Sequence, residues 1–186
     1  MMKGTLLNLG CGFNKIKSTD TEEWINVDAF EICKPDLCWN LDKFPYPWED
    51  NSIDRIVAFH VMEHLHDWWG AFSECVRILK PMGSIEIRVP HPSDDTAFVY
   101  RDHFHVINLR SFIHVFNIRS FDSTNMGPQN TSSGWFEEQK RLPVKLVGYN
   151  LVAWPQYQWL PNRVLKFCAD HLRNFIYEQR ITFQKV

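Results

Sequence analysis

The chain has 186 residues, 45% of them hydrophobic and 23% charged, with a formal net charge of -2, and such numbers describe a globular protein with one sizeable core. The near-neutral balance argues against a general electrostatic grip on nucleic acid, which needs a basic face, and no apolar run approaches the roughly 20 residues that cross a bilayer. Five cysteines without a Cys-x-x-Cys pair fit reduced thiols in a cytoplasm better than a disulfide framework, and no leader pattern is read ahead of the first strand.

The apolar run from Thr5 to Leu9 reads as a strand and stops at Gly10-Cys11-Gly12. Glycines there let the main chain turn tightly and approach a ligand with no Cβ in the way. The polar stretch from Phe13 to Glu23 lacks helical periodicity, and a second strand, Trp24 to Asp28, follows at once. The first crossover is therefore shortened or mostly loop, since a full strand–helix–strand unit needs a dozen or more residues. Asp28 closes the second strand about 18 residues beyond Gly10, at the distance where an acid can accept from both hydroxyls of a ribose. Its other reading is a loop-capping aspartate.

Pro35 to Asp42 reads as a short third strand and Ile53 to His60 as a fourth. Asp67 can cap a helix with Trp68, Phe72, Cys75 and Leu79 on its apolar face, stopped by Pro81 and Gly83. Ser84 to Val89 alternates, unexpected for a central parallel strand buried on both faces, and implies that one side of the sheet is thinly covered. A helix is expected from about Leu109 to Phe116, a long loop from Ile118 to Lys140, a strand from Val144 to Trp154, and a helix opened by Pro161 to about Leu172. The tail sets Phe175, Tyr177, Ile181 and Phe183 against Glu178, Arg180, Thr182 and Gln184, a half-buried strand able to lie antiparallel in the sheet. One domain over residues 1–186 is expected, without repeats.

Taken together, Leu7-Asn8-Leu9-Gly10-Cys11-Gly12, Asp28, Asn40-Leu41-Asp42-Lys43-Phe44-Pro45, Asn51-Ser52-Ile53-Asp54-Arg55-Ile56, His60-Val61-Met62-Glu63-His64-Leu65 and Leu79-Lys80-Pro81-Met82-Gly83 resemble the class I S-adenosylmethionine-dependent methyltransferases, in order and spacing. The resemblance is to their small type 11 kind and covers residues 5 to about 90. It implies an α/β, Rossmann-like fold with a mostly parallel seven-stranded sheet and an antiparallel strand. It further implies S-adenosyl-L-methionine as cofactor, with Asn8, Gly10, Cys11 and Gly12 under its methionine part and Asp28 on the ribose hydroxyls. Leu41 and Asp42 would receive the adenine, and Phe59 and His60 would face the sulfonium. Asn8 stands where the family usually has an acid, and the third glycine is missing.

For the chemistry, an imidazole near neutral pKa suits removal of the acceptor's proton. His91, directly after the fifth strand, is the first candidate base, with His64 and His105 behind it. His60-x-x-Glu63-His64 also matches a zinc peptidase pattern, which requires a helix that is not expected here. A different metal site could draw on His60, His64, His66, His91, His103 and His105. No metal is assigned, because histidines packed or solvated around a cleft are the plainer reading. Trp135, Phe136, Trp154, Tyr157 and Trp159 could line a pocket for a small or sugar-like acceptor taking the methyl on oxygen or nitrogen, or could be core. A cofactor-binding protein without catalysis, on the same scaffold, is the competing function. A nicotinamide oxidoreductase is disfavoured, as the first crossover lacks a phosphate-facing helix. No membrane or nucleic-acid partner is expected, and the sequence does not give the oligomeric state.

Overall fold

The computed structural model describes residues 3–112 and 142–186. Seven strands form one sheet in the order β3-β2-β1-β4-β5-β7-β6. They are β1 (Gly4–Leu9), β2 (Glu22–Asp28), β3 (Leu37–Cys38), β4 (Ile53–Phe59), β5 (Leu79–Pro90), β6 (Val144–Ala153) and β7 (Ile176–Lys185). Neighbours run parallel from β3 to β5, and β7 lies antiparallel between β5 and β6. This is the expected α/β architecture, with the strand order reversing beside β1. Crevices at the carboxyl ends of strands on either side of such a reversal are where open α/β sheets bind ligands.

No helix crosses from β1 to β2; a polar network takes its place. Asn8 Nδ2 donates to Asn26 Oδ1 at 2.9 Å and to the Asn14 carbonyl at 3.1 Å. Asn26 Oδ1 also accepts from Ile16 N at 2.8 Å, and its Nδ2 donates to Ile16 O at 3.0 Å and Asp36 Oδ2 at 2.7 Å. Main-chain and side-chain donation from Asn26 holds the Asp36 carboxyl below its usual range. Asn8 and Asn26 are both buried, so these bonds satisfy groups that would otherwise be costly to bury. The loop is thereby fixed without helical cover.

α1 (Trp68–Ile78) links β4 to β5, and Asp67 caps it by accepting from Gly70 N at 2.8 Å. Its buried Phe72, Cys75, Val76 and Ile78 pack on Leu7, Leu9, Ile56, Ile85 and Ile87 in the main core. Phe72, Phe112 and Phe183 meet there with ring centroids 4.9–5.3 Å apart. The other side of the sheet holds a smaller cluster, Leu6, Trp24 and Val57, with Phe59 at its margin. Beside it charges are laddered across three strands: Arg55 Nη2 lies 3.2 Å from Glu86, Arg88 Nη2 2.8 Å from Glu86, and Arg180 Nε 2.6 Å from Glu178. Ile85, Ile87 and Val89 of β5 are buried while Glu86 and Arg88 are not, which accounts for the alternation read in the sequence. α3 (Asn162–His171), preceded by Pro161 as expected, buries Leu165 against Ala153 and Ile176.

Four expectations are corrected. β3 is only Leu37–Cys38, because Asp36 is drawn into the Asn26 network and Asp42 into the turn before α1. α1 ends at Ile78, before Pro81, and β5 begins at Leu79. Leu109–Phe112 is a single tight 3₁₀ turn, and the remainder of that expected helix, with the loop 118–140, lies outside the described residues. Glu178 is buried rather than solvent-facing, held by the partners described below. α2 (Thr96–Val99) is one short turn after β5.

Candidate active site

At the exit of β1, Gly10 and Gly12 have φ of +64° and +49°, which side-chain-bearing residues adopt only at a cost. A Cβ on Gly10 would lie 2.4 Å from Val61 Cγ2, so this turn is pressed against the chain leaving β4. A Cβ on Gly12 would meet nothing within 4 Å. The space over Gly12 is open, and a carboxylate borders it. Asp28 Oδ2 accepts from Gly12 N at 2.8 Å and Oδ1 from Phe30 N at 3.0 Å. An ionised carboxylate has about four acceptor sites, so two remain. Phe13, Phe30 and Ile32 expose apolar surface from the same loops. Cys11 is buried, and burial, reinforced by the Asp28 charge, pushes its thiol up to about 11. It is protonated at neutral pH and is no nucleophile.

Beyond β3, the Leu41 carbonyl accepts from Tyr46 Oη at 2.9 Å. Asp42 accepts from Asp67 N at 3.0 Å and from His66 N and Nδ1, both at 3.2 Å. Burial pushes its carboxyl up, yet these donors win and hold it below the usual range. Asp42 thus ties the segment after β3 to the turn that starts α1.

His60 leaves β4 with φ +52°, its N donating to the Arg88 carbonyl at 2.8 Å. Its Nε2 lies 2.8 Å from Glu178 Oε2 and its Nδ1 3.5 Å from Glu63 Oε1. Glu178 first, then Glu63, pushes its pKa up to about 9. Phe59 sits under the Arg88 guanidinium, 3.7 Å from its ring centroid, so its side chain belongs to the opposite margin of the sheet.

Next to His60 is a cavity of about 420 Å³, lined by Glu63, His64, Asp102 and His103 together with Tyr100, Trp154 and Tyr177. His64 Nδ1 is 3.2 Å from Asp102 Oδ2 and 3.0 Å from the Asp102 carbonyl. The segment 102–105 is laid over the Met62–His64 turn because Phe104 N and His105 N both donate to the Glu63 carbonyl, at 2.9 and 3.3 Å. Since Val61 packs on Gly10 while His60 borders the cavity, the glycine turn and the cavity are joined through the two residues after β4.

Of the three imidazoles expected to act as base, His64 lines the cavity; His91 and His105 are not in its lining. His91 Nδ1 accepts from Ser93 N at 3.2 Å and lies 2.8 Å from Ser93 Oγ, and burial lowers its pKa. His105 Nε2 is 3.1 Å from the His66 carbonyl. Among the aromatic candidates, Trp154 lines the cavity and donates to Asp94 Oδ2 at 2.7 Å. Tyr157 stacks on Phe175 and Trp159 is exposed. Trp135 and Phe136 lie outside the described residues. Sequence reasoning missed Tyr100, Asp102, Tyr177 and Glu178. It met Glu63 inside the family motif and the zinc pattern without giving it a role, although its place three residues after a strand-ending histidine was the available signal.

Residues 7–87 match the family model described as a methyltransferase domain, of the type 11 family. The match runs from β1 into β5, less than half of the chain, and makes this segment similar to a methyltransferase domain. S-adenosyl-L-methionine is the cofactor that goes with it. A 52-residue segment is 42% identical to a Mycolicibacterium smegmatis protein named "Probable S-adenosylmethionine-dependent methyltransferase", spanning 28% of this chain and only 20% of that relative. Solved structures share the fold beyond the segment that the family model matches. An S-adenosylmethionine-dependent methyltransferase from Archaeoglobus fulgidus superposes with a TM-score of 0.60 at 13% identity, over 98% of this chain and 86% of its own. One from Mesorhizobium loti gives 0.59 at 12%, over 98% and 92%. The [4+2]-cyclase SpnF gives 0.60 at 11%, over 98% and 74%. At such identities the likeness speaks for the fold, and the cyclase illustrates that one scaffold hosts more than one reaction.

Proposed function

We propose that the protein is an S-adenosylmethionine-dependent methyltransferase that methylates an oxygen or nitrogen of a small, polar, sugar-like acceptor. The observation that carries this reading is the open turn at Gly12 with the Asp28 carboxylate 2.8 Å from its N–H, joined through Val61 and His60 to a cavity of acceptor size. The residues fit the cofactor. Asp28 has acceptor capacity left for two ribose hydroxyls, Gly12 leaves the main chain open to the methionine part, and Leu41 and Asp42 border the adenine side. Asn8 acts from beneath, by fixing the loop through Asn14 and Asn26. Gly10 and Cys11 shape the turn, and Phe59 contributes main chain at the end of β4.

The bound cofactor supplies a methyl group on a positively charged sulfur, which a lone pair on the acceptor displaces in line. The chain's own work is to align that lone pair and take up its proton. His64 is the base we assign, since it lines the cavity and its Nδ1 is oriented by Asp102, which leaves Nε2 to meet the acceptor. His91 and His105 are then supports of the surrounding loops. Trp154, Tyr177 and Tyr100 present the flat faces that sugars stack on, with Asp102 to accept hydrogen bonds from their hydroxyls. Five free cysteines and the absence, among the described residues, of a helix long and apolar enough to cross a membrane support a place in the cytoplasm.

Calorimetry with S-adenosyl-L-methionine, followed by a panel of small hydroxyl and amine acceptors read by release of the demethylated cofactor, tests this. Turnover lost in His64→Ala with cofactor binding retained is the expected result. A folded protein that binds no S-adenosyl-L-methionine would sink the reading.

A further inference from the structure

The acceptor cavity contains a set of donors that methyl transfer alone does not call for. Glu63 is 1% exposed, and among the described residues neither of its carboxylate oxygens accepts a hydrogen bond; its contact with His60 Nδ1 is long, at 3.5 Å. His103 Nδ1 is likewise buried without a partner. A buried carboxylate with one long ionic contact and no hydrogen bond is poorly compensated for the water it has lost. Such groups in native proteins are paired or coordinate a metal.

We propose that Glu63, His64 and His103 bind a divalent transition-metal ion in the floor of the cavity. One ligand atom from each lies within 4.8 Å of the others. Imidazole and carboxylate ligands sit about 2.0–2.2 Å from zinc, so two on one ion are up to about 4.4 Å apart, and small side-chain rotations close the set. His64 Nδ1 faces the Asp102 carboxylate at 3.2 Å, the outer-shell contact that fixes a ligating imidazole's tautomer and leaves Nε2 for the metal. The rings of His64 and His103 stand edge to face, 4.6 Å between centroids, held by the bonds from the following two residues to the Glu63 carbonyl. Two imidazoles and one carboxylate select zinc, manganese, iron, cobalt or nickel over magnesium and calcium, which prefer oxygen. Three protein ligands leave positions open to the cavity.

The catalytic meaning rests on the acceptor-site reading above. With the ion bound, the His64 lone pair goes to the metal, and an acceptor hydroxyl is acidified by coordination instead. The acceptor oxygen then bonds to the methyl carbon as its bond to sulfur breaks, sulfur keeps the electron pair, and the hydroxyl proton passes to water.

The test is calorimetric titration of the full chain, free of any affinity tag and stripped with chelator, with Zn²⁺ alone and no cofactor. It therefore fails or succeeds separately from S-adenosyl-L-methionine binding. One ion per chain is expected, at least tenfold weaker in both His64→Ala and His103→Ala and in Glu63→Gln, and unchanged in His171→Ala on α3. No stoichiometric binding by the folded protein, or binding that survives His64→Ala and His103→Ala, would overturn the proposal.

Discussion

Asp28 is where the cofactor reading can be tested most sharply, because its carboxylate serves the protein and the proposed ligand at once. Asp28→Asn keeps the size of the side chain but sets an NH₂ group against one of two main-chain donors, Gly12 N at 2.8 Å or Phe30 N at 3.0 Å. Hydrogen bonds to a charged acceptor contribute about 1.5–3 kcal/mol each. Phe30 is exposed and its N–H can turn to water, so the amide settles with its oxygen toward Gly12 and the fold loses about 1–2 kcal/mol. For a chain of this length that lowers Tm by roughly 2–8 °C. The cofactor loses more. Two ribose hydroxyls that donate to a carboxylate would meet one neutral oxygen and one NH₂, removing about 3 kcal/mol, a fall in affinity of roughly a hundredfold. Thermal denaturation and calorimetric titration with S-adenosyl-L-methionine on the same preparation separate the two effects. Affinity that falls no more than a few-fold while Tm drops as expected would refute the ribose role and leave Asp28 as a loop cap.

The two glycines separate in the same pair of assays. Gly10→Ala drives a methyl group into Val61, 2.4 Å from its Cγ2, and is expected to lower Tm strongly, whereas Gly12→Ala carries only the left-handed backbone cost of about 1–2 kcal/mol and shows its main effect as weakened cofactor binding. Phe72→Ala empties the centre of the aromatic cluster, with Phe72 0% exposed, and should cost about 3–5 kcal/mol in urea denaturation. Glu74 accepts from Arg77 Nε and Nη2 at 2.9 and 2.8 Å and from Tyr46 N at 2.7 Å, and Arg77 first among these holds its carboxyl below the usual range. A depressed folded pKa gives stability that is present above the unfolded value near 4.5 and lost as pH falls through the folded one; Glu74→Gln should therefore flatten the acid limb of a Tm-against-pH curve, and an unchanged limb would remove Glu74 from the account.

The parts of the fold that local chemistry dictates were legible in the chain, and the parts that depend on distant pairing were not. Gly10 and Gly12 after an apolar run, Asp67 before a 3.6-residue period and the alternation of β5 each announce their structure within a few residues. Asp36 and Asp42 end what reads as a strand, yet each is committed elsewhere, to Asn26 and to the turn at His66 and Asp67, and no periodicity reports such a bond. Glu178 is the clearest case. Alternation puts it on a polar face, and the antiparallel register that sets it opposite Pro90 carries it next to His60, 118 residues away in the chain. Its burial follows from the β5–β7 pairing, which encodes nothing locally. The cavity is built the same way: Glu63 and His64 come from the exit of β4, His103 and Asp102 from a loop hung on the Glu63 carbonyl, Trp154 from just past the end of β6, and Tyr177 from β7. The proposed cofactor half of the site, on consecutive parallel strands, can therefore be read from a motif. The proposed acceptor half is assembled across the antiparallel end of the sheet, and that is why its chemistry, including the buried Glu63 with no hydrogen-bond donor among the described residues, emerges only once the strands are paired.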